Sequence, residues 1–272
     1  MLVVTILQTG YVRIGDDGSS RANGTVTLIS QYADRDSFTR MSPPLFNLLV
    51  DTGSPFDGPQ IHEKLEDLRV RVAGVNAVVG THGHVDHVGN LNLFAQTGET
   101  VFYLGGDKLT PEDTYESIQF DEKTDVTLPS TTAPGRKVTL KDAALLRGPE
   151  TGDSLLSDRL YLLKTPGHTE SDLSVAVISE QVLMTCADCG ILTGLPLDDT
   201  CQTCAGFISR SRGCGVVVVA GDLFEDENDK DDDGAAWKAN SWNSHIQQES
   251  RSRIESIADV IVPGHGRPFI IG

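Results

Sequence analysis

The chain has 272 residues, a globular balance of apolar and charged side chains, and a formal net charge of −17. That length can bury a full core in one large domain, and no apolar run is long enough to span a bilayer. The acidic balance opposes tight non-specific binding to nucleic acid, which needs Lys and Arg against phosphate, so no DNA partner is expected.

In chain order, residues 2–7 are the first predicted strand. No basic region precedes them and no small-residue cleavage site follows, so they do not read as a secretory signal. The sequon at Asn23 is accordingly read as idle. Residues 26–30 and 46–50 continue the strand series, the latter closing in Asp51-Thr52-Gly53. Ile61, Leu65 and Leu68 recur at helical spacing. Residues 75–79 form a buried strand, and 101–104 another. A polar, proline-containing connection occupies 121–132. Strands are predicted at 137–140, 160–164, 173–178 and 216–220, a helix at 244–257 and a last strand at 260–262. Two segments read as insertions in a single domain spanning 1–272: residues 184–214 and an acidic loop at 225–234. Without the first, 174–178 and 216–220 would be adjacent strands joined by a short turn.

The chemistry concentrates after the strand at 75–79, in Thr81-His82-Gly83-His84-Val85-Asp86-His87. Four potential ligands fall within six residues, and imidazole and carboxylate suit Zn²⁺, Fe or Mn²⁺. One ion takes about four ligands; this cluster with later loops is rich enough for two. Those loops are Thr165-Pro166-Gly167-His168, Gly221-Asp222 and Gly264-His265-Gly266. Each follows a predicted strand and carries a glycine that lets the backbone turn sharply. Of seven histidines, only His62 and His245 lie outside these motifs, and His245 reads as a solvated helix residue.

These motifs, with Leu49-Val50-Asp51-Thr52-Gly53 upstream, resemble those of the metallo-β-lactamase superfamily over nearly the whole chain. The resemblance implies an α/β fold, a four-layer αββα sandwich with its site along one edge. It implies one metal on His82, His84 and His168, a second on Asp86, His87 and His265, Asp222 as the bridge, and Asp51 supporting from behind. The ions would be divalent, Zn²⁺ first, with Fe or Mn²⁺ open. Two such ions lower the pKa of a shared water to near neutral, giving the attacking hydroxide. Asp86 and Asp222 would then be the catalytic carboxylates. Asp86 is a candidate acid for the leaving group only if loosely held.

Further stretches, including the one from Val216 through Trp237 and Arg251-Ser252-Arg253, resemble a branch near glyoxalase II. The activity attributed to that branch is endonucleolytic cleavage of histone pre-mRNA. The implied function is an endoribonuclease in RNA processing, cytoplasmic with the nucleus also open, and a homodimer. A glyoxalase II-like thioester hydrolase is the alternative. From another class come a metal-loaded binding protein without turnover and an adaptor acting through the cysteine segment. No membrane partner is expected.

Weaker signals remain. Cys186, Cys189, Cys201 and Cys204 pair as in a small structural zinc site. They fall in an apparent insertion, however, and a reduced loop is favoured. All five cysteines lie between Cys186 and Cys214, an odd number that does not suggest disulfides. The run from Asp229 to Gly234 imitates a calcium loop, but its twelfth position is Asn240 rather than Glu. A solvated acidic turn is the favoured reading. Trp237 and Trp242 are read as capping the core rather than stacking on a ligand.

Overall fold

The computed structural model describes residues 1–127, 136–146, 159–188, 214–229 and 235–271. The N-terminal half contains strands β1 (Leu2–Gln8), β2 (Tyr11–Ile14), β3 (Ser20–Asn23), β4 (Val26–Gln31), β5 (Phe46–Val50) and β6 (Ala77–Gly80). It continues with β7 (Val101–Leu104), β8 (Asp107–Leu109) and β9 (Tyr115–Ser117). Its helices are α1 (Arg35–Thr39), α2 (Gly58–Asp67), α3 (Val85–Val88) and α4 (Leu91–Ala95). Strands β10 (Thr124–Thr127), β11 (Lys137–Leu140), β12 (Ala143–Leu146), β13 (Arg159–Lys164), β14 (Leu173–Cys186) and β15 (Cys214–Gly221) follow. Helices α5 (Ala235–Asn240) and α6 (Ser244–Glu255), then β16 (Val260–Pro263) and β17 (Phe269–Ile270), complete the chain.

The main sheet runs β17-β16-β15-β14-β1-β4-β5-β6-β7-β8-β9, with β13 and β12 branching from β14. Strand β14 belongs to both halves. Its first part pairs with β13 and β15, and its last part, Leu183 to Cys186, lies parallel to Val3–Ile6 of β1. A register shift between Ile178 and Val182 separates the two parts and lets one strand serve both sheets.

Period-two patterning sorts the side chains into three cores. Leu48, Val50, Val79, Val175, Val217 and Val219 share the inner core between the two halves. Leu49 and Val78 face the other way, against Ile61 and Leu65 of α2 and Phe94 of α4. Val216, Val218 and Ala220 face Ile254 of α6. The layers are therefore helix, sheet, sheet, helix, as the motifs implied. Strands such as β15 read as unbroken apolar runs because both faces are buried.

Three expectations are corrected. The connection at 121–132 contains β10, which pairs with β11; only Val126 of its four residues is buried, so it carries no apolar pattern. The insertion at 184–214 begins too early. Met184 to Cys186 belong to β14, and Met184 and Cys186 are buried in the inner core. The strand at 75–79 starts later, after a 3₁₀ turn at Val72–Gly74. The hairpin of β2 and β3 was not anticipated from sequence.

Candidate metal centre

The ligand-bearing loops all leave the C-terminal ends of strands at one edge of the sandwich. Asp51 follows β5, His82 follows β6, His168 follows β13, Asp222 follows β15 and His265 follows β16. The parallel pairings β5–β6 and β15–β16 align those ends. The last turn before the centre is tight. A Cβ on Gly264 would collide with Asp222 Oδ1, so only glycine leaves room for that carboxylate.

Two donor sets result. His82, His84, His168 and Asp222 form one, with ligand atoms within 4.8 Å of one another. Asp86, His87 and His265 form the other. His84 Nδ1 is 2.9 Å from His82 Nε2 and 3.1 Å from His168 Nε2. Asp222 stands between the sets. Its Oδ1 is 3.0 Å from His87 Nε2, and its Oδ2 is 3.1 Å from His265 and 3.3 Å from His168. Asp86 is the looser member, 3.8 Å from His265 Nε2 and part-exposed. His62 and His245 lie elsewhere, each beside a glutamate on its own helix.

A supporting layer fixes the imidazoles. Asp51 is buried and adopts φ 59°, a left-handed conformation that Asp tolerates. It accepts hydrogen bonds from Thr81 N (2.7 Å), Thr81 Oγ1 (2.8 Å) and His87 Nδ1 (2.8 Å). His265 Nδ1 donates to the Asn23 carbonyl at 3.1 Å. With both Nδ1 atoms acting as donors, the Nε2 lone pairs of His87 and His265 face carboxylate oxygens. Acceptor meets acceptor unless a proton or cation lies between. His87 Nε2 and Asp222 Oδ1 are in fact buried without a hydrogen-bond partner. Nitrogen and oxygen donors converging this way fit divalent cations.

The charges follow the same geometry. Burial alone would lower the His87 pKa, but Asp222 and Asp51 on either side hold it well above the usual imidazole value. Burial presses His82 well below that value. Burial also opposes the charge on Asp222, yet His87 and His265 hold its pKa well below the carboxylate range. Burial and the neighbouring Asp222 push Glu225 up to about 7.

Sequence reasoning missed four contributors. Glu225 and Asp229 are buried rather than part of a solvated turn. Arg251 bonds Asp229 Oδ2 and the Leu223 carbonyl, both at 2.9 Å, between the rings of Phe224 and Trp237. Gln247 Nε2 donates to the Asp222 carbonyl at 3.1 Å. None carries a local motif; their partners lie 22 to 28 residues away or are set by packing. Trp237 caps the core as expected, but Trp242 is 55% exposed. Cys189, Cys201 and Cys204, and residues 230–234 of the calcium-like run, lie outside the described residues.

A cavity of about 990 Å³ opens beside His265, walled by Tyr11 and Arg13 of the hairpin and by Glu225, Asp226 and Glu227. Exposed apolar side chains flank the ligand-bearing segments: Phe56 after Asp51-Thr52-Gly53, Val85 at the start of α3 between His84 and Asp86, and Trp242, whose backbone N–H bonds the His168 carbonyl.

An αββα sandwich with histidines and aspartates gathered at one sheet edge defines a metallohydrolase of the metallo-β-lactamase type. The chain belongs to the metallo-β-lactamase superfamily, whose profile matches residues 45–186. It is similar to metallo-β-lactamase domain-containing protein 1 of Mus musculus, at 32% identity over 98% of this chain and 83% of that protein. The protein of that name from Xenopus laevis is 30% identical over 98% and 80% of the two chains. Among solved structures, a metallo-β-lactamase-fold protein of Thermotoga maritima superposes with a TM-score of 0.52, at 16% identity and 99% coverage of each chain. That likeness concerns the fold.

Proposed function

We propose that the chain is a dinuclear metallohydrolase that cleaves RNA phosphodiester bonds. The observation that carries the reading is Asp222, buried between the two donor sets, with Oδ1 toward His87 and Oδ2 toward both His168 and His265. When bound, two divalent ions would supply Lewis acidity and an acidified water. The chain's own groups do the rest. Asp222 holds the two sets in register. Asp51 and the Asn23 carbonyl fix the His87 and His265 tautomers with Nε2 facing inward. Two ions bring about four positive charges against at most three carboxylates, those of Asp86, Asp222 and Glu225, so an anionic ester is attracted even within an acidic protein. Trp242, Phe56 and Tyr11 are exposed aromatic surfaces on which unpaired bases could stack.

One observation favours the second reading, a thioester hydrolase. The cavity wall of Glu225, Asp226 and Glu227 repels a polyanion more than a small substrate. The test is paired: cleavage of a labelled single-stranded RNA against hydrolysis of S-lactoylglutathione, on metal-analysed protein, with Asp222→Asn as control. RNA cleavage that disappears in the variant is the expected result. Thioester hydrolysis alone would replace the first reading with the second. Neither activity in protein carrying two ions would overturn both and leave a binding protein.

A further inference from the structure

We propose that Glu225 is an additional ligand of the ion held at His265, and that it biases this second seat toward harder cations such as Mn²⁺. The inference rests on the two-ion reading above. Glu225, Asp222 and His265 form a third donor set, with ligand atoms within 4.8 Å of one another. It shares His265 with the set of Asp86 and His87. The backbone makes this a built position. The Glu225 N–H donates to Asp229 Oδ2 at 2.7 Å, and its carbonyl accepts from the His265 N–H at 2.8 Å. Glu225 and His265 are thereby locked to each other.

Glu225 is only 9% exposed. Its hydrogen-bond partner is the neutral amide of Asn240, at 3.3 Å from Oε1. The nearby guanidinium of Arg251 is committed to Asp229 and to the Leu223 carbonyl. Among the described residues, no lysine or arginine pairs with Glu225. Two buried carboxylates, Glu225 and Asp222, thus share a wall on which only the imidazoles of His265 and His87 offset their charge. Asp222 Oδ1 in addition has no hydrogen-bond partner. Such an arrangement costs free energy unless a cation joins it.

The donor chemistry of the two seats then diverges. His82, His84 and His168 give the first seat three nitrogens and one oxygen, from Asp222, which suits Zn²⁺. With Glu225, the second seat has two nitrogens, from His87 and His265, and oxygens from Asp86, Asp222 and Glu225. More carboxylates and a higher ligand number favour Mn²⁺ over Zn²⁺ relative to the first seat.

The experiment loads one equivalent of Zn²⁺ and then titrates Mn²⁺, reading free Mn²⁺ by its paramagnetic resonance signal and bound metal by elemental analysis. Glu225→Gln keeps the shape and the bond from Asn240 while removing the charge. Its second-seat Mn²⁺ affinity is expected to fall on the order of 10- to 100-fold, with one Zn²⁺ retained. Glu225→Asp, which withdraws the carboxylate by one methylene, is expected to lose part of that affinity, and it decides the matter if the Gln variant does not fold. Unchanged Mn²⁺ affinity in a folded variant would overturn the role of Glu225 and leave the two-ion reading standing. Failure of the unmutated protein to take up a second ion would overturn the two-ion reading itself.

Discussion

Asp51 belongs to neither donor set, yet three hydrogen bonds converge on it, from Thr81 N, Thr81 Oγ1 and His87 Nδ1. Asp51→Asn would oppose one of these donors with an N–H. It is expected to weaken metal binding on the order of 10- to 100-fold with little change in fold, as read by metal titration and circular dichroism. Asp222→Asn is expected to lower metal occupancy and nearly abolish hydrolysis, because it weakens a side chain that faces both sets. Retained activity with two bound ions would refute the bridging role. His62→Ala is expected to be silent, since His62 is half-exposed on α2 beside Glu66. At this scale the sequence was most readable where chemistry is local. The spacing of His82, His84, Asp86 and His87 on one turn declares itself. Glu225 did not, because an acid in an acidic run looks solvated until the turn after β15 folds it inward.

The elements show what pattern reading can and cannot recover. Strand β15 was evident because five consecutive apolar residues serve two cores at once. The second part of β14 was hidden because Ser179-Glu180-Gln181 interrupts its apolar run and imitates a strand end. Helix α6 was recognised, but not its task. Through Gln247 and Arg251 it grips the carbonyls of Asp222 and Leu223 and so sets the turn that carries Asp222. Arg251 and Asp229 are each nearly inaccessible. Arg251→Met strands a buried carboxylate and is expected to cost about 3–5 kcal/mol in denaturant unfolding. Adding Asp229→Leu should recover part of that loss. A loss below 1 kcal/mol for the single variant, an estimate typical of surface pairs at roughly 0–1 kcal/mol, would show that the pair is not structurally important.

For the molecule as a whole, the sandwich was legible from motif order, whereas the extent of the insertion was not. Strand β14 ends at Cys186, and Cys214, where the chain re-enters the sheet, pairs with Val182 of the same strand, so the chain returns within a few residues of where it left. Replacing residues 189–213 with a short Gly-Ser linker is therefore expected to leave folding and metal content unchanged, measured by thermal melting and elemental analysis. Loss of either would mean that the segment contributes to the fold or to the centre. Chelation is expected to lower the melting temperature and re-addition of Zn²⁺ to restore it, because ions that bind only the folded state stabilise it by mass action. Strand β14 gives a final consequence. It is one covalent backbone running through both sheets, and the candidate centre straddles the same seam. His82, His84, Asp86 and His87 come from the N-terminal half, and His168, Asp222 and His265 from the C-terminal half. Neither half keeps a complete sheet once the other melts. The protein should thus lose its structure in one step rather than half by half, and the amides of β14 should be the slowest to exchange with deuterated solvent.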